Sequence, residues 1–417
     1  MSIQQNFPST RPSLNLNFAR SKTLDPRITF TRTSTATYVG EDGLIKTAPA
    51  NSPRFDHDPV TGECLGLLIE EQRENLLTRS EDIINWGQPN NITALENQTI
   101  SPDGTNNATK LIEDATNSTH VAWRGSTNTA GDIICGSVFV KAAERTNVSI
   151  GFPSGGKGIR FNFNDESIGF PNVPGWSTSN VYGVIKYPNG WYRIWIQTTA
   201  SGDGTVDSFR IFTHNGTTTS YLGDGVSGIF VWGAQVEKGS FPTSYIPTTT
   251  STATRTPDNA KIEGSNFSSW FNNNEFSIFT HHKFPSVPPN YYPRVFDINT
   301  GSDAYRLNHY HDPSIYGTKI GCSVVENSVT QYAVSTSSYD IGDDLRMASC
   351  FKDNDFASYV NGALVGTDNT GVFSTTQRTV LYIGSSVNGS SPINGTISQF
   401  TYYPVRLPNN QLINLTK

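Results

Sequence analysis

Cysteine is scarce in this chain, with four residues in 417 and no CxxC spacing among Cys64, Cys135, Cys322 and Cys350. That excludes a disulfide-stapled scaffold and a zinc ribbon. The sequence reads the four as reduced thiols, with a Cys322–Cys350 bridge left open. Charge is also thin, at 16% Asp, Glu, Lys and Arg, where an average soluble protein has roughly 25%. The net charge of −6 gives no reason to expect nucleic acid or an anionic membrane as partner. No apolar run approaches the ~18 residues of a membrane span. The opening MSIQQNFPSTRPSLNLNF has no apolar signal core, which predicts a protein made in the cytoplasm and not sent through general secretion.

What is abundant is Gly, Asn, Ser and Thr. That balance favours turns and pleated surfaces over helices. A chain of this length exceeds one core and points to two or three domains. The expected fold class is all-β, two antiparallel sandwiches of jelly-roll type preceded by an irregular β-rich segment. Residues 1–78 read as an N-terminal docking or assembly segment, too poor in apolar residues for a core of its own. Within it Ser13–Phe18, Ile28–Thr31 and Leu65–Ile69 are strand-like, and Glu70–Leu77 reads as a strand running into a loop.

Residues 79–250 form the first sandwich, with seven expected strands between Gly136 and Val236. In Trp191–Thr198, Tyr192, Ile194 and Ile196 share one face while Trp191, Arg193 and Trp195 share the other. Residues 251–259 are the linker, rich in Pro, Ser and Thr. Residues 260–417 form the second sandwich, in which Asn361-Gly362 between two alternating runs specifies a type I′ hairpin.

Three pieces, Leu67–Ser80 (LLIEEQRENLLTRS), Asn189–Ile194 (NGWYRI) and Gly233–Pro247 (GAQVEKGSFPTSYIP), resemble segments of bacteriophage virion proteins of the tail-fibre and adhesin kind. Those carry a jelly roll similar to carbohydrate-binding modules. The C-terminal region resembles the laminin-G/concanavalin A-like superfamily, through Tyr359–Gly362, Tyr382–Gly384, Asn394–Ile397 and Tyr402–Leu407. The resemblance implies a virion protein that binds host surface polysaccharide, assembles with other virion proteins and forms a homotrimer. No heptad-rich stalk marks a fibre shaft. A structural capsid or tail decoration is the alternative, and a polysaccharide depolymerase the third reading.

Catalysis is disfavoured. Hydrolases of the concanavalin-like kind often carry Glu-x-Asp-x-x-Glu on one strand, and Glu263, Glu275 and Glu326 do not fit it. Asp165-Glu166 reads as a solvated turn. No cofactor is required. The resemblance allows a structural calcium ion at the acidic loops, with Asp103, Asp340, Asp343 and Asp344 as ligands, against an ordinary Asp-Gly turn. His309 and His311 share a strand face, a ligand-like spacing without an evident third ligand.

Sugar binding needs open aromatic faces for the C–H side of the ring. The candidates are Trp176, Trp195, Trp123, Tyr221, Tyr291 and Tyr292, with Trp176 and Trp195 foremost; packing against the N-terminal segment or another subunit is the competing role of those two. Trp191 is expected to stack with Arg193, and Trp232 to lie in the core.

Overall fold

The computed structural model describes residues 7–87, 90–203, 207–283, 292–312, 319–336, 339, 342–373 and 376–417. It is all-β, as the turn-rich composition predicts, and its strands make two antiparallel sandwiches.

In the first sandwich, one sheet runs Val121–Arg124, Phe209–His214, Asn147–Phe152, Lys157–Asn162 and Ser167–Gly169 in spatial order. The facing sheet runs Tyr182–Lys186, Tyr192–Thr199, Ile133–Ala142, Gly228–Lys238, Ala108–Glu113 and Ile92–Thr99. Period-two alternation sends one side of each strand inward. Ile194 and Ile196 meet Val148, Ile150, Phe209 and Ile211 in a buried core, as the alternation in Trp191–Thr198 predicts.

The second sandwich has a front sheet ordered Thr29–Thr31, Asn259–Glu263, Val380–Ile383, Arg294–Asn299, Arg306–Asp312, Lys319–Glu326, Val329–Ser335. Its back sheet is ordered Ala363–Asp368, Phe356–Val360, Asp344–Lys352, Glu275–Lys283, Gly395–Tyr403, Cys64–Ile69, Phe55–His57. The hairpin turn has φ of 46° at Asn361 and 82° at Gly362, the left-handed pair that type I′ demands. The helix Asn409–Leu415 covers the outer side of the back sheet, where Leu412 packs with Phe279, Tyr359 and Tyr403.

The N-terminal residues are woven into this second sandwich. Leu14–Asn17 pairs with Gly395–Tyr403, Cys64–Ile69 pairs with the same strand, and Thr29–Thr31 pairs with Asn259–Glu263. Leu14, Leu16, Phe18, Leu67 and Ile69 are buried in its core. A segment too apolar-poor for its own core thus finishes the core of a partner distant in sequence.

Where the two sandwiches meet, Ala253–Arg255 pairs with Arg73–Asn75. Below that ribbon lies a buried ionic network. Asp258 accepts from Arg32 at 3.0 Å and from Arg54; Arg54 and Arg255 both reach Glu70, at 2.7 and 3.1 Å. The Ser244 and Glu70 backbone N–H groups donate to Glu70 and Asp258. Burial alone would push the Glu70 carboxyl up, but Arg255, Arg54 and Ser244 hold it at about 2. Phe241 and Tyr245 are buried alongside, so the stretch after Lys238 is pinned at both its apolar and its charged residues. Cys322 and Cys350 are free thiols.

Candidate functional site

The open side of the first sandwich's Phe209–His214 sheet carries the candidate site. On that strand Phe209 and Ile211 point into the core, which sends Arg210 and Phe212 outward. Register sets Trp123 directly opposite Arg210, and Arg210 opposite Gly151, which in turn pairs with Gly158. One row across four strands therefore reads Trp123, Arg210, Gly151, Gly158.

The two glycines form a floor. The turn in which Trp176 N–H donates to Val173 C=O folds the Pro174-Gly175 loop back over the sheet. The indole of Trp176 then lies on Gly151 and Gly158 and meets Phe212 edge-on at 5.6 Å and 88°. A Cβ at Gly151 would fall 2.2 Å from Trp176 Cζ3, and one at Gly158 3.0 Å from Cε3. Glycine inside a strand often marks such a close approach. Replacing Gly151 by valine is expected to lift the indole off the sheet and cost about 1–3 kcal/mol through overpacking. Acrylamide quenching, taken as the difference from Trp176→Phe, checks it; unchanged quenching of Trp176 would refute the floor.

The Arg210 guanidinium lies 5.8 Å from the Trp123 ring, within cation–π range. Its Nε contacts Ser208 Oγ at 3.3 Å, and burial pulls its pKa down. Among the described residues no carboxylate lies in ion-pair range of it. Beside Arg210 and Phe212 opens a cleft of about 480 Å³, lined also by Asn90, Asn91, Ser118 and Thr119, among others. That volume lies within the roughly 300–1,000 Å³ of ligand-sized clefts. Flat aromatic faces, a cation without an anion, and amide and hydroxyl groups together suit a polyhydroxylated ring.

Trp123 and Trp176, more than fifty positions apart in sequence, are thus brought to one face. Trp195 lies on the outer side of the opposite sheet, half-buried, with its indole against Gly183. Tyr221 is 7% exposed. Its hydroxyl donates to Glu113 at 2.5 Å and its ring lies under Arg145 at 5.2 Å, so it offers no open face. Tyr292 is 47% exposed on the second sandwich, and Tyr291 lies outside the described residues. Arg193 stacks on Phe139 at 5.3 Å, not on Trp191, whose N–H donates to Ile100 C=O. Tryptophan 191 and Trp232 are both core residues.

Of the acidic loop residues, Asp103 Oδ1 accepts from Ser101 and Thr105 of its own turn. Asp344 pairs with His281, and Asp340 lies outside the described residues. Asp343 also has a partner in the structure. His309 and His311 face the core: His309 bonds Thr280 and Ser349, and His311 Nε2 lies 3.0 Å from His282 Nε2. Among the described residues no group of three or more His, Cys, Asp or Glu side chains is placed to hold a metal ion. Glu263 pairs with Lys261, Glu275 with Lys352, Glu326 with Arg378 and Glu166 with Lys186. None of the described helices is long and apolar enough to cross a membrane.

No protein-family model and no curated protein sequence matches this chain. Solved structures similar in part include the carbohydrate-binding module of Ruminococcus gnavus IT-sialidase, bound there to α2,3-sialyllactose, at 16% identity and TM-score 0.30, covering 34% of this chain and 82% of that one. Another is domain 4 of the Geobacillus stearothermophilus arabinanase AbnA, at 13% identity and TM-score 0.30, covering 43% and 84%. Trypanosoma rangeli sialidase matches at 16% identity and TM-score 0.30, with 38% of this chain spanning 26% of that enzyme. These superpositions are partial, and nothing about the site rests on them.

Proposed function

We propose that this protein is a non-catalytic glycan-binding protein, and that the Trp123–Trp176 face is where it holds the sugar. The observation that carries the reading is the convergence of two half-exposed indoles around Arg210 on an open sheet, beside a ligand-sized polar cleft. A sugar ring stacks its C–H side on an indole while Arg210, Asn90 and Asn91 take its hydroxyls.

The sequence motifs extend this reading to a bacteriophage virion protein, a tail fibre or adhesin, that presents the face to host surface polysaccharide. In that setting it assembles as a homotrimer with other virion proteins. Both sandwiches serve as rigid carriers, because the joint between them is held by buried ion pairs and a paired ribbon.

Glycan-array and whole-cell binding by the intact protein test the idea. Trp123→Ala and Trp176→Ala are each expected to weaken binding by about 1–3 kcal/mol, or roughly five- to 150-fold. Binding that survives the double variant undiminished would move the site elsewhere. Light scattering that shows a monomer at micromolar concentration would remove the trimer.

A further inference from the structure

A second site is carried by the outer side of the second sandwich's front sheet, which none of the described helices covers. Phe296, Ile298, Leu307 and Val324 point into the core. Their neighbours Arg306, Asn308, Tyr310 and Ser323 therefore face out. A bulge between Arg294 and Phe296 turns Arg294 to the same side. The result is a cleft of about 250 Å³ walled by Tyr292, Arg294, Arg306, Tyr310, Ser323 and Thr330, among others.

Three features mark it as more than a groove. The Arg294 guanidinium lies over Tyr310 at 5.3 Å and, among the described residues, makes no hydrogen bond or ion pair. Among the described residues Arg306 pairs only with Asp303, at 3.2 Å, whose side chain is 68% exposed. Asn308 is fully buried and accepts from Ser323 at 2.9 Å, yet its own amide nitrogen has no partner. A guanidinium and an amide donor are costly to hold near an interior without an acceptor. The nearby Asp297 carboxyl does not supply one. It accepts from Ser386 and Asn299 instead, and burial raises its pKa. Tyr292 stands at the rim, its ring 6.2 Å from that of Tyr310.

We propose that this cleft binds a sugar residue bearing a carboxylate, with Arg294 and Arg306 taking the carboxylate, Tyr292 the ring face, and Ser323 a hydroxyl. Arginine suits the role because its planar donors match a carboxylate in pairs. The site is separate from the Trp123–Trp176 face and does not depend on it.

Isothermal titration of the whole protein with trigalacturonate and with a glucuronate-containing tetrasaccharide tests the proposal, with galactotriose and maltotriose as neutral probes. At least one acidic probe is expected to bind about tenfold or more tighter than either neutral one, and to weaken as salt rises. Arg294→Gln and Arg306→Gln should each lose about fivefold or more of that affinity, while Trp123→Ala leaves it unchanged. Tyr292→Ala alters only an exposed ring, so its loss of affinity reads the site even where an arginine variant fails to fold. Binding of neither acidic probe, equal binding of acidic and neutral probes, or indifference to Tyr292→Ala and Arg306→Gln would overturn the assignment. If Trp123→Ala alone abolished acid binding, the carboxylate would belong to the other face and this site would fall.

Discussion

Asp258→Ala should remove about 3–5 kcal/mol of stability. The carboxylate is wholly enclosed and holds Arg32 and Arg54, both wholly enclosed themselves. Its loss strands two guanidinium groups beside a third, Arg255, and leaves Glu70 paired to Arg54 and Arg255. Burial and the Arg54 charge already pull Arg255 down. Asp258→Asn keeps the shape and one acceptor but drops the charge, so it should fall between wild type and alanine. Urea unfolding followed by tryptophan fluorescence gives the comparison. A loss below about 1 kcal/mol for Asp258→Ala would mean that water replaces the carboxylate and that the joint is not closed.

Acidification should act with opposite signs in two places. His282, His309 and His311 are fully buried between the sheets of the second sandwich. Burial, with His311 beside it, pushes His309 down to about 3; burial takes His311 to about 3, and His282 falls well below its ordinary value. The unfolded chain takes up protons from pH 6.5 downward and the folded chain does not. Stability is therefore full above 6.5 and lost as pH falls towards 3, by about 2 kcal/mol per histidine at about pH 5. Asp56 behaves in the reverse way. It faces the cavity of about 340 Å³ at the joint, and burial raises it to about 7, against the Val39 N–H it accepts at 2.7 Å. Its contribution is greatest below 3.8 and is lost as pH rises through 7, so acid returns about 2 kcal/mol there between pH 7 and about 5. Three histidines outweigh one aspartate. Hydrogen exchange at pH 7.5 and about 5 should show weakened protection in the second sandwich while the joint holds or tightens. The His282→Gln/His311→Gln variant should lose most of the acid effect on the sandwich. Uniform weakening across the molecule, or none, would refute the assignment to these side chains.

Much of the framework is local and therefore readable. The alternation of Tyr192, Ile194 and Ile196 and the Asn361-Gly362 turn depend on residues next to one another, and both stand as predicted. The pairing of Leu14–Asn17 with Gly395–Tyr403 leaves no local trace, because either strand would look the same beside any partner. The site divides the same way. Trp123 and Trp176 are recognisable as aromatic candidates, but their meeting depends on register across four strands. Gly151 and Gly158, glycines inside strands, were the available hint of a ring lying on the sheet. Arg294 and Arg306 look like ordinary strand charges until the bulge before Phe296 places them on one face. Tyr221 misleads for a similar reason: its sequence neighbours are polar, yet Glu113 and Arg145 enclose it.

The interleaving of the N-terminal strands with the second sandwich also sets an order of assembly. Ser398 reaches back to Leu65, 333 positions earlier. During synthesis, Leu14–Asn17 and Cys64–Ile69 leave the ribosome with apolar sides and unpaired edges, and their partner strand is made more than three hundred positions later. The first sandwich, contained in the chain between them, can fold in that interval and shortens the gap that remains to be closed. Such distant pairing is slow, and the waiting strands are open to capture by another chain in the meantime. Truncation of the last helix and strand would then release an aggregation-prone N-terminus while leaving the first sandwich folded.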